Sequence, residues 1–103
     1  MIRHIVALRF REGVTQAEKD ALYTDLRALQ GHIGGIMDFR SFANVSVEAP
    51  VVRGFRDLFW FDFRDEAVRD AYLADAAHQA IGAGIVARCE GGIDGVFVMD
   101  IAL

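Results

Sequence analysis

The chain opens on a strict alternation of side chains. Ile2, His4, Val6, Leu8 and Phe10 would point to one side of an extended segment, and Arg3, Ile5, Ala7, Arg9 and Arg11 to the other. A period of two predicts a strand, ended at Gly13. The period then lengthens: Leu22, Leu26, Leu29 and Ile33 recur at helical spacing, and Glu18, Lys19, Asp25 and Arg27 lie mostly off that line. Thr15-Gln16-Ala17-Glu18 reads as a capping box, in which hydroxyl and carboxylate each satisfy an amide that the helix start leaves unpaired. Gly31 stops this helix and Gly34-Gly35 turns the chain. Alternation returns from Phe39 to Val47, with Phe39, Ser41, Ala43, Val45 and Val47 against Arg40, Phe42, Asn44 and Ser46. A loop containing Pro50 and Gly54 leads to a third strand, Asp57 to Phe63. Asp57, Phe59, Phe61 and Phe63 form one of its rows and Leu58, Trp60 and Asp62 the other. Asp65 caps a second helix to about Asp75, with Val68, Ala71 and Tyr72 on one face. A short helical segment follows from about His78 to Val86, Gly91-Gly92 breaks it, and Gly95 to Ile101 is the last strand.

The order β-α-β-β-α-β predicts an α+β, ferredoxin-like protomer: a four-stranded antiparallel sheet with helices on one face. Helices on one side leave the other side bare, and here that side is apolar, with Ile5, Ala7, Leu58 and Trp60 as its members. A second copy packed sheet against sheet, forming a dimeric α/β barrel, would cover it. Composition points the same way. In 103 residues, 53 % are hydrophobic and eight are Phe, more apolar surface than one thin core absorbs. Residues 1–103 are expected to form a single domain.

A net charge of −4 with no basic run argues against nucleic acid as a partner. No apolar run approaches the roughly 18 residues that span a bilayer, and the charged, alternating start does not read as a signal peptide. A lone cysteine, Cys89, rules out an internal disulfide framework and fits a reducing compartment, so a cytoplasmic location is expected. Beside Glu90, Cys89 reads as structural.

Candidate chemistry is sparse. His4, His32 and His78 are scattered without metal-ligand spacing, the paired glycines match no phosphate or dinucleotide loop, and no serine sits in a nucleophile elbow. Neither metal nor organic cofactor is therefore expected. Tyr72 and His78 are six residues apart, so one continuous helix would splay them by about 120°. A break near Asp75-Ala76-Ala77 would turn both toward one cavity, where an imidazole could take a proton while a phenol bonds a carbonyl. The other possibility is a core tyrosine with a wet hydroxyl and a histidine that caps the third helical segment. His4 shares a row with Val6, Leu8 and Phe10, so it is either a satisfied core group or part of a pocket wall. Asp57 is a strand-entry carboxylate in solvent or a pocket carboxylate on the row of Phe59 and Phe61, which would then supply the apolar wall. Asp75 could pair with His78 and raise its basicity. His32 lies in an exposed turn.

With those residues in place, the chain resembles the stress-responsive A/B barrel (Dabb) family. "MIRHIVALRFREGVT" is similar to that family's first strand and the threonine opening its first helix, and "SFANVSVE" to its second-strand segment. "FWFDFRDEAVRDAYLADAAHQAIG" resembles its most distinctive stretch, an aromatic strand, a helix reaching Tyr-Leu, and then a histidine. The resemblance implies a ferredoxin-like protomer and a homodimer. Some plant members are cofactor-free polyketide cyclases, and by that resemblance Tyr72 and His78 would act on substrate while His4 lines the cavity. Asp75 and Ala76 stand where the family often has His and Pro, and Asp57 and Leu26 where cyclase-type members carry His and Tyr. The expectation is a homodimer, joined through the sheet face, that binds a hydrophobic, carbonyl-bearing small molecule. His78 would move a proton and Tyr72 orient the carbonyl, with Asp57, Phe59 and Phe61 around them. A noncatalytic stress-response or assembly protein is the alternative, and a cofactor-independent monooxygenase the second; whether the chain is an enzyme stays open.

Overall fold

The computed structural model describes residues 1–103. In chain order the elements are β1 (Ile2–Leu8), α1 (Gln16–Ala28), β2 (Ile36–Ala43), α2 (Ala49–Val52), β3 (Asp57–Phe63), α3 (Glu66–Ala74), α4 (Ala76–Arg88) and β4 (Val96–Ala102), with short 3-10 turns at Leu29–Gly31 and Gly92–Gly95. The four strands form one sheet in the order β2-β3-β1-β4, and every neighbouring pair is antiparallel. This is a ferredoxin-like α+β fold.

Register follows from the alternation. Phe59, Phe61 and Phe63 of β3 stand opposite Val6, His4 and Ile2 of β1, while Val96, Val98 and Asp100 of β4 stand opposite Leu8, Val6 and His4. One face of the sheet is thus a bed of aromatic and aliphatic side chains, and α1, α3 and α4 supply its cover. Leu22, Leu26, Leu29 and Ile33 are all buried against it, as their spacing predicts. The Thr15 capping box is formed, with the Thr15 side chain accepting from the Glu18 amide and the Glu18 side chain accepting from the Thr15 amide. Gly35 is needed twice over at the turn into β2: its φ is +93°, and a Cβ there would collide with the Val68 side chain.

The sequence reading is corrected at several places. β2 runs from Ile36 to Ala43 rather than from Phe39 to Val47, and a bulge between Ile36 and Asp38 absorbs Met37. Val45 and Val47 leave the ladder because Asn44 turns the chain: its side chain donates to the Phe55 carbonyl and accepts from the Ser46 amide. Pro50 lies in the first turn of α2, a place where its missing N–H costs no helical bond. On α3, Val68 and Tyr72 are buried but Ala71 is exposed. The last helical segment is longer than its pattern suggested, Ala76 to Arg88 instead of His78 to Val86.

The second face of the sheet carries only the short α2, at one end, where Val51 and Val52 share a pocket with Ala7 and Phe97. Ile5, Ala7, Leu58 and Trp60 lie on it half-buried, with Phe42, Phe97, Met99 and Ile101 exposed around them. Its polar features include Arg3, which makes two bonds to Asp62, at 2.8 and 3.1 Å, and lies over the Trp60 ring, and the Arg40–Asp38 pair at 3.0 Å.

Candidate functional site: a cleft between the last strand and the helical corner

Helices do not reach across the whole covered face. β4 is left bare on its helix side as well, with Val98 half-exposed. The result is a cleft of about 410 Å³ between β1 and β4 below and the α3–α4 corner above, walled by Val6, Phe59, Ile85, Val86, Val96 and Val98. Five polar residues line it: His4, Tyr72, His78, Gln79 and Asp100.

Tyr72 and His78 meet because the helix breaks between them. α3 ends at Ala74, Asp75 is extended, and α4 starts afresh at Ala76. The Asp75 carboxylate makes the new start possible by accepting from the His78 amide at 2.9 Å. The two rings come to lie 3.7 Å apart between centroids, tilted by 32°. Tyr72 is almost fully buried and packs on Phe61 and Phe63. Burial pushes its phenol well above the ordinary tyrosine range, so it stays a neutral hydroxyl. The His78 imidazole is pushed down, first by burial and then by the nearby His4, against weaker opposing effects of the Tyr72 backbone carbonyl and Asp75. It is therefore neutral at pH 7. Its Nδ1 is buried without a hydrogen-bond partner.

His4, only 4 % exposed, lies with its ring edge-on to Tyr72 at 5.5 Å. Its Nδ1 is 2.6 Å from Asp100 Oδ1, and Arg69 Nη1 on α3 donates to the other oxygen of Asp100 at 3.3 Å. Asp100 was missed in the sequence reading. The signal was present: it is the lone charge in the otherwise apolar GVFVMDI segment, on the row of Val96 and Val98 and so on the helix side. What the sequence could not show is that β4 lies beside β1 with His4 and Asp100 directly opposite.

The other sequence candidates are distributed differently. Phe59 lines the cleft, whereas Phe61 lies beneath Tyr72 as fully buried core and is not part of the wall. Asp57 is away from the cleft, paired with Lys19 at 2.9 Å, and borders a separate small pocket of about 190 Å³ beside Tyr23. Asp75 does not bond the His78 ring: its carboxylate takes the His78 backbone amide with one oxygen and His32 Nε2, at 2.7 Å, with the other. No group of three or more His, Cys, Asp or Glu side chains is placed to hold a metal ion. Cys89 is buried, and burial raises its thiol above the usual range. The chemistry on offer is a neutral imidazole, a neutral phenol and a carboxylate-bound imidazole in an apolar cleft. That set can bind a carbonyl compound and move a proton on it.

Solved structures share this architecture. A dimeric ferredoxin-like protein of unknown function from Jannaschia sp. CCS1 is 27 % identical, with a TM-score of 0.88 over 99 % of this chain and 98 % of that one. A hydroxynitrile lyase from Passiflora edulis has the same fold at 16 % identity, with a TM-score of 0.82 over 99 % and 92 %. A Dabb family protein with a ferredoxin-like fold from Mesorhizobium loti matches at 19 % identity and a TM-score of 0.76 over 99 % and 95 %. No curated protein matches the chain in sequence. The model of the stress responsive A/B barrel domain matches residues 2–102, and the chain belongs to that family.

Proposed function

We propose that the protein is a homodimer whose α3–α4 cleft binds a small, hydrophobic, carbonyl-bearing molecule and carries out cofactor-free acid–base chemistry on it. The observation that carries this reading is the Tyr72–His78 contact, set at the wall of an apolar cleft by a helix break. Tyr72 donates its hydroxyl to the carbonyl oxygen, and His78, kept neutral by burial, removes or relays the proton. An apolar, partly closed volume of this size suits a ligand recognised mainly by its hydrocarbon and fixed by a few polar groups. The hydroxynitrile lyase with this fold lends support, as an enzyme acting on small molecules. A purely structural role for the dimer fits less well, since it calls for a filled interior beside His78. The second copy packs on the open sheet face; dimeric relatives and the apolar character of that face support this assignment. No helix is long and apolar enough to cross a membrane.

The test is calorimetric binding and turnover with a panel of alkyl aryl ketones and polyketide-like ligands. Tyr72→Phe removes one hydrogen bond without emptying the core, and should weaken a bound ketone by about tenfold, the equivalent of roughly 1.4 kcal/mol. His78→Ala should abolish turnover while leaving some binding. If neither substitution changes binding or turnover of a ligand that the wild type accepts, the assignment is wrong.

A further inference from the structure

We propose that Asp100 is a positioning residue that sets the tautomer of His4, so that His4 presents an unprotonated Nε2 to the cleft and receives a hydroxyl group of the ligand there. The proposal rests on the reading of the cleft as a ligand site and names which polar groups that ligand must carry.

The argument starts from what each group can do. An ionised carboxylate only accepts hydrogen bonds, so at 2.6 Å the His4 Nδ1 must be the donor. In a neutral imidazole the proton on Nδ1 leaves Nε2 with a bare lone pair. A free imidazole prefers the opposite tautomer, so the protein has to impose this one. It does so from two directions. The register of β1 and β4 sets His4 and Asp100 directly opposite each other, and Arg69 on α3 holds the second carboxylate oxygen at 3.3 Å, keeping the acceptor aimed. The neighbours of the His4 ring, Tyr72 at 5.5 Å and Phe63 at 5.9 Å, prevent it from swinging away.

The consequence is a cleft with complementary polar edges. Tyr72 is a neutral phenol and can donate; His4 Nε2, in the imposed tautomer, can accept; both side chains line the same cavity. A ligand matched to that pair bears a carbonyl and a hydroxyl on one apolar body: a hydroxyaryl ketone, an enol of a diketone, or a hydroxyketone. A bound plain ketone would cover the Nε2 acceptor and leave it without a partner, which is the kind of mismatch that binding sites discriminate against.

The test reads the tautomer first, without any ligand. Long-range proton–nitrogen correlation spectra of the labelled protein, recorded where the imidazoles are neutral, distinguish Nδ1–H from Nε2–H. Wild type should show His4 as Nδ1–H. D100L should switch it to Nε2–H, and D100N, whose amide oxygen still accepts, should retain Nδ1–H. A wild-type His4 in the Nε2–H form, or a D100L protein with an unchanged tautomer, overturns the proposal. The second arm compares a 3-hydroxyphenyl alkyl ketone with its methyl ether. Wild type and D100N should prefer the free hydroxyl by about tenfold, the worth of one well-made hydrogen bond, and D100L should lose the preference. Equal affinity of wild type for the two compounds overturns the hydroxyl assignment. Binding of neither ketone, with the tautomer pattern as expected, counts against the cleft as a ketone site and leaves the positioning role of Asp100 supported.

Discussion

The two faces of the sheet are built from the same kinds of side chain and end in opposite conditions. On the helix side Phe39, Phe59, Phe61 and Phe63 are all at most 3 % exposed; on the other, Phe42, Phe97, Met99 and Ile101 are between 40 and 54 % exposed. Both rows come from strict alternation along the same strands, so propensity cannot account for the difference. It lies in what the chain has left to cover each side: α1, α3 and α4 all pack on the first face, and the second has only the four-residue α2 at one end. The covered face builds the protomer's core, and the open face is the surface on which the proposed second copy would pack. The cleft arises at β4, where the helical cover runs out.

The sharpest way to break that comparison is to remove one aromatic ring from each face. Phe61 is fully buried and packed against Phe39, Phe59, Phe63 and Tyr72. Phe61→Ala should cost about 3–5 kcal/mol, from lost burial plus the cavity left behind. In a domain of this size that lowers the melting midpoint by well over 10 °C, on the order of 4–8 °C per kcal/mol. Phe97→Ala on the open face, followed in denaturant at concentrations low enough to keep protomers apart, should cost less than about 1 kcal/mol. Equal losses would mean that the two faces do not differ in the way described.

The next test works on assembly alone. Trp60 is half-buried, carries Arg3 over its ring and Phe42 beside it, and its Nε1 is buried without a partner. Trp60→Glu sets a charge at the centre of that apolar face. Sedimentation should show dimer association weakened by a factor of about a hundred or more, a loss in the range typical of a central aromatic anchor, while the far-ultraviolet spectrum of the protomer is unchanged. A dimer of unaltered strength would place the second copy elsewhere.

Much of this was legible in the sequence because it is carried by period. The alternation of Ile2, His4, Val6 and Leu8, and of Asp57 to Phe63, specified strands, their buried rows and the apolar open face. The leucine spacing and the Thr15–Glu18 box specified α1. Even the break between Tyr72 and His78 could be anticipated, since only a break brings side chains separated by about 120° into one cavity. Three-dimensional pairing was not legible. Asp57 sits on the same row as Phe59, but Lys19 from α1 takes it up, and nothing in a one-dimensional pattern records that. Asp75 stands three residues before His78, which is as suitable for capping a helix as for pairing with a ring, and the helix start took it. Asp100 gains its meaning only from the order of strands, which places β4 against β1.

The smallest effect expected concerns that capping carboxylate, and it asks how firmly the helical corner holds the cleft. The Asp75 carboxyl is held below the usual aspartate range, first by the His78 amide, with further contributions from His32 and the Ala77 amide, against the cost of desolvation. The folded protein therefore favours the charged form more than the unfolded chain does. Its contribution is complete above about pH 5, where the unfolded chain is also ionised, and is lost as pH falls through the lowered value. Acid should accordingly loosen the start of α4 before the rest of the domain. Hydrogen exchange at the His78 amide, referenced to a core amide of β3, should accelerate in wild type as pH falls below about 4, after correction for intrinsic rates. In Asp75→Ala the His78 amide should exchange quickly at every pH, and in Asp75→Asn, which still caps but does not titrate, it should remain protected throughout. Because the same carboxylate orients the turn that sets His78 against Tyr72, Asp75→Ala should weaken ligand binding and Asp75→Asn should not. If His78 exchange follows the same pH course in all three proteins, Asp75 does not hold this corner, and the geometry of the Tyr72–His78 pair must be maintained by core packing on Phe61 and Phe63 alone.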